Sequence, residues 1–571
     1  MIKIRRLYSE PETFTPVNFY DGINLIVGEP NPSSNKTNGV GKTLLIEFIN
    51  FCLLKDFKFS RVSKIPSSSY SSENTICLDV IINKVNCTLK RNIKKQNEPV
   101  IIYGKKRKEF DSIQDALEFL TSKLFHKQSS NEVPSFRSMM GPLIRDEGSE
   151  FKSIVDCYDT TLKLPPDLTP HLYLFGIKID LYKKIKNLFL DIDKATKTKS
   201  KIKGDIELLS GVSLTKAKAE LNEINSQLDI IKSEMTSLDN NISYEYIRDE
   251  ASELDIRIGN LRNRKAVLNN ELKKINLLNG DNYINDNEVV DIFNKFKSGL
   301  GTNINKELSE VIAFKKSIDN FQNKILNERK LVIFKELKEI ETELKNATAS
   351  YADKMKTLDV SGPLTNIKQL ILVHQKKVEE QSMLSALLQK YDKEDNEIRV
   401  KKDEKSSCLL ELDFEVKGKK ETINNFEETM LAMHEYIFGN KKGYFEIKTI
   451  DKKLILDFVL RIDDDGSHSN EREKVFFYDI SLLLTSETFS NHPGLLIHDN
   501  IFDVDQDTLM RSLNFLAEKS SCLLDCQYIL TLNSDKLSKL EKKQLKLDID
   551  KYKRVTLTKQ NRFLGRVYQQ K

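Results

Sequence analysis

The chain has 571 residues, of which 31% are charged, yet its 90 basic side chains are nearly balanced by 85 acidic ones. This balance excludes binding to a polyanion through whole-chain charge, so nucleic acid would have to bind a local patch. No apolar run approaches the ~18 residues that cross a membrane, and the residues after Met1 read as a strand rather than a signal peptide. The seven cysteines lack metal-ligand spacing and fit reduced thiols. We expect a cytoplasmic protein without a membrane partner.

A glycine-rich loop lies near the N-terminus, between an apolar run at 23–27 and a helical pattern at 44–54. A strand, such a loop and a helix form a nucleoside-triphosphate site, because N–H groups of the loop and the helix N-terminus face the phosphates. Lys42 would contact the β and γ phosphates, and the Thr43 hydroxyl would ligate Mg²⁺. We therefore predict ATP and Mg²⁺ as cofactors. The predicted binding residues are Asn38, Gly39, Val40, Gly41, Lys42 and Thr43.

This loop departs from the strict phosphate-loop pattern, because Lys36 stands where the first glycine belongs. Gly28 lies thirteen residues before Gly41, whereas a tight loop places it five before. Residues 29–36 are rich in Pro, Ser and Asn and can loop out at a small entropic cost. The alternative is a glycine-rich turn before an ordinary helix.

The rest of the N-terminal region shows strand patterns. Alternation at 76–89 and again at 100–103 predicts a hairpin, followed by the basic run 105–108. That run would be either a solvated hairpin tip or a local DNA contact. Further along, Arg145 is a candidate charge contact where the two halves of an ATPase head would be coupled.

The middle of the chain predicts long helices, because residues 171–362 contain no proline. Apolar positions step by alternate threes and fours over 221–242, 254–275 and 333–351. Such heptads predict an antiparallel coiled coil, with an amphipathic bundle as the alternative. The pattern is interrupted at 210–211, 279–280, 299–301 and 361–363, and the turn of the coil is predicted between about 279 and 320.

The second half of the predicted ATP site follows the coil. Residues 495–498 form a buried-strand pattern that ends at Asp499, and an acid at this place suits Mg²⁺ coordination. ABC-type ATPases place a glutamate next, to orient or deprotonate the attacking water. Here the residue is Asn500, which cannot act as a base. Asp503 is our first candidate for a substitute base, although three solvated loop acids, Asp503, Asp505 and Asp507, are an equal alternative.

Two further segments flank this strand. Ser467 and Ser469 precede a helical pattern at 471–484, where ABC heads carry a signature that touches ATP bound to the other head. An ordinary N-cap explains them nearly as well. Residues 527–533 read as the next buried strand, and Thr531 or Asn533 would replace the sensor histidine found there in ABC heads.

Split ATPase halves around an antiparallel coil resemble the SMC-like family, which includes the break-repair ATPase and RecN. Several segments are more similar to an uncharacterised bacterial family of ATPases from three-component ABC systems; among them are NGVGKT, FRSMMGPLIRDEG, HDNIFDVDQD and RVTLTKQNRFLGRVYQQK. This resemblance implies an operon-encoded partner and a role in defence against phage or plasmids. The chain departs from the pattern in lacking the signature glycine pair and in carrying Ala313-Phe314-Lys315 where relatives often carry histidine.

The sequence thus predicts an α/β ABC-type P-loop ATPase head, assembled from lobes at 1–178 and 440–571 around a coiled-coil arm at 179–439. The expected activity is slow ATP hydrolysis, below ~1 s⁻¹, by a sensor or scaffold of a defence complex. Expected partners are a second copy bound through the heads, operon-encoded effector proteins and, as a further candidate, DNA. Two alternatives remain: a DNA repair or chromosome-maintenance ATPase acting on DNA ends, and a scaffold that binds ATP but hardly hydrolyses it.

Overall fold

The computed structural model describes residues 1–29, 39–66, 70–125, 132–159, 165–237, 245–280, 305–357, 364–462, 468–534, 536 and 544–565. Two compact units are present, one formed by Met1–Asp191 with Lys401–Lys571 and the other by Ile192–Val400. We call the first the head unit and the second the arm unit. The predicted α/β class with a long helical insertion is confirmed.

The strands belong to the head unit. They are β1 (Ile2–Glu10), β2 (Val17–Asn18), β3 (Gly22–Gly28), β4 (Thr75–Ile82), β5 (Val85–Asn92), β6 (Val100–Tyr103), β7 (Lys106–Glu109), β8 (Ile144–Arg145), β9 (Tyr444–Thr449), β10 (Leu456–Arg461), β11 (Leu495–His498), β12 (Gln527–Asn533) and β13 (Lys553–Leu557).

The helices occupy both units. They are α1 (Lys42–Cys52), α2 (Ile113–Leu124), α3 (Phe136–Leu143), α4 (Thr169–Leu174), α5 (Ile179–Ser210), α6 (Leu214–Ser237), α7 (Glu245–Gly280), α8 (Asn305–Thr357), α9 (Leu364–Gly418), α10 (Lys420–Phe438), α11 (His468–Leu484), α12 (Ser486–Asn491), α13 (Gln506–Glu518) and α14 (Ile549–Tyr552). None of the helices in the described ranges combines the length and the apolar composition that a bilayer crossing needs.

A parallel sheet of five strands forms the centre of the head unit, in the order β13-β3-β12-β11-β8. Every residue of β3 and of β11 is buried, as expected for parallel strands covered on both faces. Strand β3 comes from the N-terminal end of the chain, whereas its two neighbours come from the C-terminal end. The register places Asn533 beside Gly28 and His498 beside Arg145, at the carboxyl edge of the sheet.

This parallel sheet separates two apolar cores, because successive side chains of a strand point to opposite faces. Leu25 packs in a core with residues of α10, α11 and α13. Ile26 packs in the other core, with residues of α1 and β1. The head unit is therefore layered, with helices on one face of the parallel sheet and α1 with the antiparallel sheet on the other.

An antiparallel sheet of six strands, in the order β2-β1-β4-β5-β6-β7, covers the second core. The hairpin predicted from alternation is confirmed as β4 and β5, joined by Asn83 and Lys84, both at positive φ. The basic run 105–108 is not confined to a hairpin tip. Lys105 lies in the turn, and the next three residues lie in the exposed edge strand β7, where Arg107 pairs with Glu109 at 2.7 Å.

The arm unit contains the long helices that the proline-free stretch predicts. Helices α7 and α8 pack antiparallel. From one ion pair between them to the next, the residue number rises in α7 and falls in α8. The pairs are Arg257–Glu343, Arg264–Glu336 and Glu271–Arg329. Their seam buries Leu268, Ile275, Ile333, Leu337 and Ile340. Gly211, at φ +70°, separates α5 from α6, as predicted. The interruptions predicted at 299–301 and 361–363 lie outside the described residues, as does 281–304 of the predicted turn.

Helix α7 also contacts α9, which a simple two-helix coil does not predict. Gln375 donates to Asp255 at 2.9 Å and accepts from Arg262, whose guanidinium lies 3.9 Å from Glu379. Residue numbers rise together in these contacts, so α7 runs in the same direction as α9.

Helix α6 runs opposite to α9, through Lys218–Asp392 and Asn225–Gln381. The chain therefore reverses between α6 and α7, and part of the arm contains more than two helices. Heptads fix which face of a helix is buried but not which helix covers it, so this reversal could not be predicted.

The α7–α8 seam gives a test of the arm. We expect Ile333→Ala to lower the opening free energy of the α7 and α8 amides by about 2–5 kcal/mol, because Ile333 is fully buried and its truncation leaves a cavity. Hydrogen exchange of the full chain measures this. Phe334→Ala is the matched control, because its neighbouring side chain is 47% exposed. Equal effects of the two variants would contradict the seam.

Candidate functional site

The glycine loop and the N-terminus of α1 lie at the carboxyl edge of the parallel sheet. Gly39 and Gly41 have φ of +83° and +104°, a region that side chains rarely adopt. Gly41 caps α1 and makes no side-chain cap hydrogen bond among the described residues. The first turn of the helix lines the cavity, where the N–H groups of a helix N-terminus suit an anion.

Lys42 reaches across to the neighbouring strand. Its Nζ donates to Asn533 Oδ1 at 2.5 Å, because β12 pairs in register with β3 and ends opposite Gly28. A Cβ on Gly28 would lie 2.7 Å from the same Nζ. Gly28 is therefore needed for the close approach of Lys42, although it stands thirteen residues before Gly41 in the sequence.

Asp499 follows β11 and is fully buried. Its Oδ1 accepts from Thr531 at 2.9 Å, whereas Oδ2 has no hydrogen-bond partner in the described part of the chain. Burial and the charge of Glu147 raise the pKa of Asp499 to about 6, and the nearby Thr43 hydroxyl opposes the shift.

An orphaned carboxylate oxygen beside a threonine hydroxyl fits a hard cation. Mg²⁺ typically binds one or two protein oxygens and completes its shell with water and phosphate oxygens. The described residues contain no cluster of three or more His, Cys, Asp or Glu side chains suited to a metal. Thr43 and Asp499 would therefore hold Mg²⁺ together with a phosphate ligand rather than alone.

Asn500 occupies the position after Asp499 with φ +64°, a conformation that asparagine tolerates better than most residues. Its N–H donates to Thr531 Oγ1 at 2.8 Å, and its carbonyl accepts from Arg472 at 2.7 Å. Its side-chain amide lies 3.4 Å from Glu147 Oε1. Three contacts thus fix this residue between the sheet, α11 and the segment after β8.

The three loop acids are held apart from the cavity. Asp503 pairs with Lys536 at 2.7 Å, and Lys536 lowers the pKa of Asp503. Asp505 caps the N-terminus of α13, and Asp507 pairs with Arg511. None of these acids is among the described residues that line the cavity, so the structure does not bring the predicted base Asp503 to the site.

Three other predicted residues lie in or next to gaps between the described ranges. Asn38 and Ser467 lie outside the described residues. Ser469 lies in the first turn of α11, which begins at His468 rather than at 471. The predicted contact of Ser469 with a nucleotide on another head stays a prediction.

The cavity itself has a volume of about 450 Å³. Its lining comprises Gly39, Val40, Gly41, Lys42, Thr43, Leu44, Arg61, Glu147, Asn500, Asn533, Arg562, Phe563 and Leu564. Of these residues, Leu44, Arg61, Glu147 and the three C-terminal ones are not among those predicted from the sequence. That C-terminal segment is tied to the loop, since Phe563 N donates to Val40 O at 3.2 Å and Arg562 to Gly39 O at 3.0 Å.

A buried ion pair lies behind the cavity. Arg145 and Asp479 are each 1% exposed and form a bidentate contact at 2.9 and 3.0 Å. His498, next to Asp499, lies 3.0 Å from Asp479 and 3.0 Å from the Tyr528 hydroxyl. Burial alone would raise the pKa of Asp479, but Arg145 and His498 outweigh it and the pKa is lowered.

This arrangement agrees with the charge contact expected of Arg145, because it pairs a residue of the N-terminal lobe with a residue of the C-terminal lobe. It joins β8 to α11 inside the head unit, and α11 is thereby fixed to the strand that ends at Asp499.

We expect Asp479→Ala to lower the free energy of unfolding of the head by about 3–5 kcal/mol, because it leaves the Arg145 charge buried without its carboxylate. Urea denaturation followed by tyrosine fluorescence measures the change. Asp507→Ala is the control, since that acid is 60% exposed in a pair with Arg511, and we expect it to change stability little. A small effect of Asp479→Ala would show that the pair is not needed for folding.

Comparison with known proteins agrees with this geometry. A family model described as an AAA domain matches residues 4–243. A second family model, described as an uncharacterised protein conserved in bacteria, matches residues 431–567. No curated protein matches the chain. The AAA-domain match, the glycine loop and the parallel sheet indicate a nucleotide-binding ATPase domain, here joined to a long helical insertion.

Two solved structures are similar over most of their length. The Smc head domain with a coiled coil and joint from Pyrococcus yayanosii is 14% identical, with a TM-score of 0.35, covering 94% of this chain and 93% of that chain. The Smc head domain with an extended coiled coil, bound to the C-terminal domain of ScpA, from Pyrococcus furiosus is 12% identical, with a TM-score of 0.31, covering 94% and 91%. Similarity at this level carries no conclusion about this chain.

Proposed function

We propose that this chain is an SMC-like, ABC-type ATPase that binds ATP with Mg²⁺ and hydrolyses it slowly. The observation that carries the proposal is the convergence of Lys42, Thr43 and Asp499 beside the N-terminus of α1. A cation, a metal-binding hydroxyl and a buried carboxylate are the groups that a Mg²⁺-triphosphate requires.

Different residues would bind the phosphates and the metal ion. The N–H groups of the loop and of α1 receive the phosphates, and Lys42 adds a positive charge after exchanging Asn533 for a phosphate oxygen. Thr43 and Asp499 would hold Mg²⁺, which when bound neutralises charge that develops on the phosphates. Thr531 orients Asp499 and Asn500 through one hydroxyl.

We further propose that the protein acts as a sensor or scaffold in a multi-component bacterial defence complex. Support comes from the resemblance of NGVGKT and HDNIFDVDQD to ATPases of three-component ABC systems. The match of residues 431–567 to a family of bacterial proteins agrees with a bacterial system. Two heads would pair with ATP between them, and pairing would change the arm and so signal to an operon-encoded effector. The neighbouring genes would distinguish the DNA-repair alternative from the defence role. The turnover rate would distinguish the scaffold alternative from an active ATPase.

Nucleotide binding tests the site directly. We expect Lys42→Ala to weaken ATP binding by about 10- to 100-fold, because it removes a charge-assisted hydrogen bond to phosphate. Asp499→Ala should abolish the dependence of binding on Mg²⁺, so that a chelator weakens wild type but not the variant. Isothermal titration calorimetry measures both effects, with Lys105→Ala, exposed in a turn, as the control. Unchanged affinity of Lys42→Ala would refute the ATP site.

The cellular role needs a separate test. Cells that carry the gene with its genomic neighbours should resist phage infection or lose an incoming plasmid, and Lys42→Ala should remove this protection. Plaque counts and plasmid retention measure the effect. If wild type gives no protection while Lys42→Ala sensitises the native host to DNA-damaging agents, the repair alternative replaces the defence proposal.

A further inference from the structure

The structure places an acid, Glu147, at the cavity, although no local sequence pattern predicts this position. Strand β8 pairs in parallel with β11, with Arg145 beside His498, and Asp499 N donates to Arg145 O at 2.8 Å. Glu147 and Asn500 therefore both lie two residues beyond the ends of neighbouring strands. Parallel strands end at the same edge of a sheet, so the two side chains meet there.

We propose that Glu147 supplies the catalytic carboxylate that Asn500 cannot provide. Glu147 lines the cavity, whereas Asp503 is held by Lys536. This inference rests on the proposed ATP site and goes beyond it by assigning the base.

The contacts of Glu147 hold its carboxylate at the cavity. Its Oε1 lies 3.4 Å from the Asn500 amide, and its Oε2 forms an ion pair at 3.3 Å with Arg61, which also lines the cavity. Its side chain is 39% exposed, so water can reach it. Asp146, one residue earlier, instead faces Lys55 at 3.2 Å and caps the turn through Gly148.

The backbone after Glu147 holds the turn in place. Glu150 and Phe151 both have positive φ, near 50°, although neither is glycine. Consecutive residues in this region are energetically unfavourable and persist where the surrounding structure fixes them. Here Phe151 is buried, which anchors the turn that presents Glu147.

The role of Asn500 follows from the same contacts. Its amide donates toward Glu147 Oε1 at 3.4 Å and so helps to hold the carboxylate in place beside the cavity. Asn500 thus positions the base rather than acting as one.

The reaction step balances as a hydrolysis. A water oxygen bonds to the γ-phosphorus as the bond from that phosphorus to the β–γ bridging oxygen breaks, and the bridging oxygen leaves with the electron pair on ADP. The water proton passes to Glu147, which later releases it to solvent. Phosphate and ADP are the products, and no oxidant or reductant is involved.

The test uses the full chain with Glu147→Gln, which keeps the size and the hydrogen-bonding oxygen but cannot accept the proton. We expect at least a 100-fold lower single-turnover hydrolysis rate, in line with the usual effect of a general base. Affinity for Mg²⁺-ATP should stay within about threefold of wild type, because phosphate binding remains with Lys42 and the loop. Acid quenching should then recover bound ATP from the variant and ADP from wild type.

Two matched controls accompany it. Glu150→Gln removes an acid from the same turn, where it pairs with Lys152. Asp503→Asn removes the acid that the sequence predicts as a substitute base. Both should hydrolyse at the wild-type rate, and the urea midpoint of Glu147→Gln should match wild type.

The outcomes separate this inference from the ATP site itself. A Glu147→Gln rate within threefold of wild type, or a rate loss shared by Asp503→Asn, would overturn the assignment of the base. A loss of Mg²⁺-ATP affinity above tenfold in Glu147→Gln would also overturn it, by making Glu147 a binding residue. Failure of wild type to bind ATP would instead remove the proposed function.

Discussion

The hydrogen bonding of β3 on both of its edges is the constraint on which the head depends. One edge pairs with β12 and the other with β13, so a strand from the N-terminal end is held between two strands from the C-terminal end. The register with β12 sets Asn533 opposite Gly28 and thereby directs Lys42. An insertion as long as the arm is tolerated because the sheet, rather than the order of the chain, holds the lobes together.

The buried contact of Arg145 with Asp479 adds a second link to the same edge. Burial lowers the pKa of His498, so a neutral imidazole lies between the Asp479 carboxylate and the Tyr528 hydroxyl. This histidine directly precedes Asp499, and α11 is therefore joined through side chains to the strand that carries the predicted Mg²⁺ ligand. A fully hydrogen-bonded network of this kind specifies one arrangement of its elements.

The parts of the fold that can be predicted from the sequence are those with a local sequence pattern. The apolar runs of β3 and β11, the glycine loop and the proline-free helices each carry their own signal. Glu147 lies in the segment FRSMMGPLIRDEG, but its place beside Asn500 depends on a two-residue strand that pairs with β11 far along the chain, and no local pattern shows this pairing. Nearness to Asp499 in sequence favours Asp503 as a base, but the ion pair of Asp503 with Lys536 is a tertiary contact that spacing cannot show.

The distribution of strands along the chain has a consequence for synthesis on the ribosome. The antiparallel sheet uses only residues from Ile2 to Glu109 and can form early. Strand β3, in contrast, must wait for Gln527, and at about 5–20 residues per second the roughly 500 intervening residues take about 25–100 s to make. Throughout that interval an apolar strand has both edges open to other chains. The nascent protein is thus expected to need a chaperone until its last strands emerge.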